Sequence, residues 1–167
     1  MSNPVSDLVA GFQDLVSQMP DLLQPLVVAL AGAVPFIEGE GAAAIGIVGG
    51  IHPVVSAIAA AIGNFVCVAV VVLVTARVRT AVTTRAGSGA EKPTSARAEK
   101  FQNAYHRYGT PGVSLLGPLL LPTQFTAAAL TGTGVPTGRV LFWQGAAIVL
   151  WTTVITLIIT GVIAAAL

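Results

Sequence analysis

The sequence predicts an all-α integral membrane protein with two inverted repeats, each a re-entrant helical hairpin plus one transmembrane helix, and with interfacial amphipathic helices. Three observations support this fold class. The 167-residue chain is 54% hydrophobic and only 9% charged, whereas soluble domains carry roughly 25% charged residues. Prolines and glycines interrupt its apolar runs in two places. Seven of the eight lysines and arginines lie in one central stretch, residues 77–107.

Residues 1–20 are expected to form an amphipathic helix at the membrane interface. Between Val5 and Met19 apolar residues recur at helical spacing, and Pro20 ends the pattern. Such a stripe is typical of a helix that lies in the membrane surface. It fits a helix packed on the rest of the protein equally well, so the pattern alone leaves both placements open.

The first repeat, residues 21–76, begins with an apolar run that is too short for a full crossing. Only 16 uncharged residues separate Asp21 from Glu38, whereas a spanning helix needs about 20 apolar residues. Pro35 and the glycines that follow it predict non-helical backbone around Glu38 and Glu40. The predicted elements are half-helices at 22–34 and 42–50, a break at 35–41, the re-entrant hairpin 22–50 that these form, and a transmembrane helix at 54–76.

The central stretch, 77–107, is expected to be a basic cytoplasmic loop, since lysines and arginines are enriched on the cytoplasmic side of membranes. Its glycine- and proline-containing centre, 87–93, predicts a flexible connection. Toward its end, Tyr105 and Tyr108 share one helical face with other apolar residues, while basic residues line another face. This pattern predicts an interfacial amphipathic helix. A solvated run of charges is the alternative.

The second repeat, 108–167, is again an apolar run with a break. No charge occurs over the 31 residues from 108 to 138, and four prolines interrupt them. We expect the break at 117–124, around Pro122. The predicted elements are the re-entrant hairpin 108–136 and a transmembrane helix at 140–167. Because each repeat then contains one crossing, the two repeats have opposite orientations, and broken helices at corresponding places predict a transport site near the membrane midplane.

Two carboxylates, Glu38 and Glu40, are the main candidates for function. They lie inside an otherwise apolar segment, and acidic groups there suit a protein-lined or water-lined cavity better than lipid. We interpret Glu38 as a carboxylate that couples transport to protons or cations. The alternative for Glu38 is an exposed loop between short helices, and Glu40 has the alternative of facing water.

The remaining candidates are polar residues and prolines near the two breaks. Pro35 and Pro122 would open the helices. Thr123 and Gln124 would hydrogen-bond a substrate or an ion, or else a neighbouring helix. Three further residues are given less weight. His52 is expected to titrate near neutral pH or to lie at the membrane interface. Asn64 is expected to pack helices or to bind substrate, and Arg139 to contact phosphate.

Several motifs resemble those of one membrane protein family. They include Ala33-Val-Pro-Phe-Ile-Glu38 in the first repeat, and Pro122-Thr-Gln-Phe125 and Arg139-Val-Leu-Phe-Trp143 in the second. From about residue 25 onward the chain resembles the small multidrug export protein family, a relative of the DedA (VTT-domain) membrane proteins. The resemblance implies two re-entrant hairpins that face one another, in a multi-pass protein of the bacterial plasma (inner) membrane.

The chain departs from the DedA pattern at the second break. Typical DedA proteins, which are linked to flipping of polyprenyl phosphate or other lipids, carry arginines around the proline of this hairpin. Here Leu120, Leu121, Thr123 and Gln124 surround Pro122, and none of them is basic. An anionic head group would therefore lack its obvious partner at the midplane.

We expect a transporter that exports small amphipathic or cationic compounds, driven by protons through Glu38, with its site between the two hairpins. The alternatives are a DedA-type lipid flippase or scramblase and a non-transporting membrane protein needed for envelope integrity. No nucleotide-binding loop, metal-ligand cluster or nucleophile–base pair is found, so no enzyme activity, cofactor or metal is expected. The expected partners are membrane lipids, protons and a small-molecule or lipid substrate, a homo-oligomer is compatible with the sequence, and nothing indicates nucleic acid.

Overall fold

The computed structural model describes residues 3–85 and 96–166, and the secondary structure within these ranges is helical throughout. The helices are α1 (Pro4–Gln18), α2 (Gln24–Gly32), α3 (Glu38–Val48), α4 (Pro53–Arg85), α5 (Ala96–Leu116), a 3-10 turn (Gly117–Leu119), α6 (Thr123–Gly132) and α7 (Thr137–Ala166). The all-helical prediction is confirmed for these residues. The predicted flexible connection at 87–93 lies outside them.

Two helices are long and apolar enough to cross a membrane. They are Pro53–Thr84 within α4, with 32 residues, and α7, with 30 residues. At 1.5 Å per residue each exceeds the roughly 30 Å of a hydrocarbon layer. Only 22% and 17% of their most apolar windows are buried inside the protein, as is typical of helices that face lipid and not of core helices in a soluble domain. Both helices are consistent with a membrane protein.

The long helix α4 continues past the predicted end of the first crossing. It runs to Arg85, so residues 77–85 of the predicted loop 77–107 are helical. No proline or glycine occurs between Ala76 and Arg85, and nothing therefore stops the helix where the charged residues begin. The hydroxyls of Thr80 and Thr84 donate to the carbonyls four residues earlier, at 3.0 and 2.9 Å, and follow the helical backbone.

The predicted breaks are narrower than expected. Helix α3 begins at Glu38 and α6 begins at Thr123, so residues that we expected in non-helical backbone form the first turns of the two short helices. In α3 the acidic side chains of the first turn complement the positive end of the helix dipole. In α6 Pro122 directly precedes the helix with φ near −51°, a value that the proline ring favours and that leads into a helix.

Both short helices end in the same way. After α3, Gly50 has a φ of 89°, Ile51 N–H donates to Gly46 carbonyl at 3.0 Å, and Gly50 N–H donates to Ile47 carbonyl at 3.0 Å. This is the Schellman motif, in which a left-handed glycine lets two amides satisfy the last carbonyls. After α6, Gly134 has a φ of 99° and the same pair of bonds forms, from Val135 to Leu130 and from Gly134 to Thr131.

Helix α5 bends at Gly109. Gly109 has φ 63° and ψ −172°, and Pro111 follows two residues later. The glycine adopts a backbone conformation that other residues avoid, and the proline supplies no amide hydrogen. The bend therefore divides α5 into segments at 96–108 and 110–116, and it lies where the sequence predicted the second hairpin to begin.

The chain divides into two compact units, whose boundaries fall within α4 and α7. Unit 1 contains residues 1–67 and 147–167, and unit 2 contains residues 68–146. The apolar core of unit 1 joins α1, α2, α3 and the beginning of α4. Its buried residues are Val16, Val27, Val28, Ala31, Ile37, Ala42, Ala43, Ile45, Ile51, Ala59 and Ala60.

Helix α1 belongs to this core. Val16 is fully buried, and Val9, Phe12 and Met19 pack against the core. This packing agrees with one of the two placements that the sequence left open. Val5, Leu8 and Leu15 of the same helix remain exposed, so α1 also keeps an apolar stripe away from the protein.

Candidate functional site

The first turn of α3 carries two carboxylates, and one of them is buried. Glu38 is 7% exposed, and it is the one buried acidic side chain among those that the structure describes. Glu40, two residues later, is half-buried. The backbone before them is held by Val34, whose carbonyl accepts the amides of Ile37 and Glu38 at 3.2 and 3.1 Å.

Left-handed backbone on both sides of Ile37 sets this geometry. Phe36 has a φ of 72° and Glu38 a φ of 54°, values that cost a residue with a side chain about 1–2 kcal/mol each. Such a conformation persists only where packing over-determines it. Here Ile37 is 4% exposed and lies in the core of unit 1, while Phe36 is 66% exposed. Burial of Ile37 therefore holds the turn that places Glu38 inside.

Gly39 is the point at which α3, α4 and α7 meet. A β-carbon added to Gly39 would overlap Thr152 Oγ1 and would lie 3.7 Å from Asn64 Nδ2. Asn64 is fully buried, and Thr152 is 2% exposed. We call Glu38, Asn64 and Thr152, gathered around Gly39, the acidic cluster. The absence of a side chain at Gly39 gives the two polar side chains access to the α3 backbone.

A close crossing of α2 and α4 supports the acidic cluster from one side. A β-carbon on Gly63 would overlap the Ala29 carbonyl, and one on Gly32 would overlap the Ala60 carbonyl. The two backbones therefore touch, as small residues permit at helix crossings in membranes. From the sequence we expected Asn64 to pack helices or to bind substrate. In the structure Gly63 makes the close approach, and Asn64 lies beside Gly39.

The acidic cluster lies in a unit that has acidic residues but no lysine or arginine. Burial raises the pKa of the Glu40 carboxyl to about 7; a hydrogen bond from its own backbone amide opposes this shift, and repulsion from Glu38 adds to it. Glu40 belongs to α3 and lies outside the two helices that are long enough to span a membrane. A group with this pKa exchanges protons near neutral pH.

Unit 2 has a neutral counterpart at the first turn of α6. Thr123 and Gln124 are 1% and 3% exposed, and Pro122 is also buried. Thr123 Oγ1 donates to Gln124 Oε1 at 3.5 Å. Pro122, Thr123 and Gln124 thus lie at the beginning of α6, and none of these three residues is charged.

Two further buried polar residues were not expected as site residues from the sequence. Gln144 of α7 is fully buried, its Nε2 donates to Ser114 Oγ at 3.5 Å, and its Oε1 has no partner among the described residues. In the sequence its one signal is an approximate similarity between the two repeats, in which Gln144-Gly145 of the second corresponds to Gly63-Asn64 of the first. Thr152 gave a weaker signal, a threonine that recurs four residues later in an apolar helix.

Three candidates lie away from both first turns. His52 is exposed, and its Nδ1 accepts the Val54 amide at 3.3 Å, so it caps the beginning of α4. Arg139 is exposed in the first turn of α7, and Pro35 is exposed in the break before α3. The structure gives His52 a structural role and brings neither His52 nor Arg139 to a buried polar cluster.

Comparison of the chain with protein-family models, with curated proteins and with solved structures finds no match. Within the described residues no group of three or more histidine, cysteine, aspartate or glutamate side chains could hold a metal ion. The chemistry of the acidic cluster therefore carries the functional argument.

Proposed function

We propose that the chain is a multi-pass transporter of a bacterial plasma membrane that exports small amphipathic or cationic compounds in exchange for protons. In this proposal Glu38 is the coupling carboxylate. The observation that carries it is the burial of Glu38 at a meeting of three helices, in a unit without lysine or arginine. Acidic groups inside membranes are expensive and are typically retained for function.

The burial of Glu38 supports exchange of a proton for a cation at this residue. In general, burial of a carboxylate favours its protonated form, and an arriving cation favours its ionised form. Since both compete for the same group, loading one releases the other. This competition is the property that an antiporter of cations and protons needs. The raised pKa of neighbouring Glu40, about 7, supports proton exchange near neutral pH in this turn.

The proposed membrane arrangement has two crossings and two re-entrant hairpins. Helices α4 and α7 cross, α2 and α3 form one hairpin, and the segment 110–116 with α6 forms the other. With 9 and 11 residues, α2 and α3 reach only about half-way through a bilayer. The shared Schellman motif of α3 and α6 supports a repeat. The positive-inside rule puts the basic stretch 77–107 in the cytoplasm, and α1 and the end of α7 outside.

The test is transport by purified protein in vesicles with an imposed pH gradient. We expect wild-type protein to drive efflux of a cationic dye, and Glu38→Gln to abolish the pH dependence, because the amide cannot release a proton. Glu40→Gln should have the smaller effect. Asp21→Asn is the matched control, since Asp21 is an exposed acid in the same unit. Wild-type rates for Glu38→Gln across roughly pH 5.5–8.5, the range expected for a buried carboxyl, would exclude coupling through this residue.

The same vesicles separate the alternatives. Movement of fluorescent polyprenyl phosphate between leaflets, without dye efflux, would support a lipid flippase. Activity in neither assay, combined with a growth phenotype that Glu38→Gln leaves intact, would support a non-transporting role in envelope integrity. Of these three functions, cation export is favoured. The buried Glu38 is acidic, and the first turn of α6, which contains Thr123 and Gln124, has no charged residue.

A further inference from the structure

Three threonines form a line along the part of α7 that belongs to unit 1. Thr152, Thr156 and Thr160 are spaced by four residues, and residues at this spacing lie on the same face of a helix. Their line extends over about 12 Å of the helix axis. We call these three residues the hydroxyl file.

The hydroxyls of Thr152 and Thr156 are buried and lack protein partners. The two residues are 2% and 9% exposed, and neither Oγ1 has a hydrogen-bond partner within the described residues. Threonines in helices commonly donate to the carbonyl four residues earlier, as Thr160 does to Thr156 at 2.7 Å. Buried polar groups of this kind are typically satisfied by ordered water.

The hydroxyl file ends beside the first turn of α3. Thr152 Oγ1 lies against Gly39, the residue between Glu38 and Glu40. At the other end Thr160 is only partly buried. The file therefore runs from a partly exposed position on α7 to the buried first turn of α3, with both ends inside unit 1.

We propose that water ordered along the hydroxyl file carries protons to and from the carboxylates of Glu38 and Glu40. Each hydroxyl accepts one hydrogen bond and donates another, so it links two waters without changing its own charge. This inference rests on the proposed function and adds the route by which its proton arrives.

No other described acidic side chain of unit 1 is placed to serve this route. Asp7, Asp14 and Asp21 are exposed, and so is His52. Cys67 on α4 is half-buried, and unit 1 contains no lysine or arginine. Asn64, the α4 side chain beside Gly39, does not titrate. The two glutamates of α3 are therefore the groups that a proton on the file would reach.

The test replaces hydroxyls by methyl groups of similar size. Thr152→Val and Thr156→Val should each slow uptake of protons during dye efflux by roughly tenfold or more, the scale of a lost proton-transfer group. Binding of the dye without a pH gradient should stay unchanged in Thr156→Val, because Thr156 lies outside the acidic cluster. Thr152→Ser should restore the rate. Thr153→Val, at an exposed position of the same helix, is the matched control and should behave as wild type.

A second measurement does not depend on transport. After a rapid change of pH, infrared spectroscopy follows protonation of the buried carboxyl, whose band is assigned by its loss in Glu38→Gln. We expect slower protonation in both valine variants, with thermal unfolding close to that of the wild type, because neither hydroxyl has a hydrogen bond to the described residues that the substitution would remove. Wild-type protonation rates in both variants would overturn the route and leave the proposed function standing. Slowed protonation in a protein that exports no dye would support the route and overturn the proposed function.

Discussion

Unit 1 and unit 2 use a similar backbone plan with opposite charge. Each contains a short helix that ends in a Schellman motif, and each contains part of α4 and part of α7. Unit 1 holds five of the seven acidic residues and none of the eight basic ones, whereas unit 2 holds all eight basic residues. The comparison teaches that repetition of the backbone did not bring repetition of the chemistry, since only unit 1 has a carboxylate at the first turn of its short helix.

The units also differ in how their polar residues are held. In unit 1 the backbones of α2 and α4 touch at Gly63. In unit 2 the contact is between side chains instead, since the buried amide of Gln144 donates to the hydroxyl of Ser114. Backbone contact tolerates little change, while contact between side chains can adjust. The two units should therefore respond differently to small changes in volume.

The largest expected effect comes from Gly63→Ala. Its new methyl group would overlap the Ala29 carbonyl, and overpacking of this kind costs about 1–3 kcal/mol in the free energy of unfolding. Thermal unfolding in detergent measures the loss. Gly161→Ala is the control, because nothing lies within 4 Å of a β-carbon there, and alanine stabilises an exposed helix by up to about 1 kcal/mol. Equal stability of the two variants would show that the close crossing of α2 and α4 is wrong.

The second prediction tests the feature that the two units share. Gly50→Ala and Gly134→Ala each force a left-handed residue to carry a β-carbon, at about 1–2 kcal/mol. We expect similar losses in thermal stability from both, since the displaced Arg79 side chain near Gly134 is flexible and exposed. Gly132→Ala, in α6 with no nearby atoms, should be close to neutral. A loss of thermal stability in only one of these two variants would contradict the similarity of the two helix ends.

The third prediction concerns a charge in unit 1. The Glu40 pKa is raised from 4.5 to about 7, so between these pH values the folded protein keeps a proton that the unfolded chain releases. Stability should therefore fall as pH rises through this window. Glu40→Gln should flatten the dependence, and Asp21→Asn should leave it unchanged. Unfolding midpoints measured at several pH values test this prediction. If Glu40→Gln showed the same dependence of stability on pH as the wild type, burial of the Glu40 carboxyl would be contradicted.

The helices were predictable from the sequence, whereas the contacts of the candidate site were not. The length of the apolar runs identified α4 and α7, and the spacing of prolines and glycines identified the short helices. The break before α3 was predicted too long, because glycines and a proline signal irregular backbone without showing that Ile37 packs tightly enough to restart a helix at once. Thr152 was missed because it lies more than a hundred residues from Gly39, and sequence spacing does not report such contacts.

The shortness of α2 and α3 has a consequence for biogenesis. With 9 and 11 residues, they are about 14 and 17 Å long, well below the length by which the insertion machinery recognises a spanning helix. In the proposed membrane arrangement, neither helix would enter the bilayer as an independent segment. Their polar backbone ends would be covered by α4, which is made after them, through the contacts at Gly32 and Gly63. In this arrangement α2 and α3 would insert stably only after α4 has been synthesised, and they would depend on α4 to stay in the membrane.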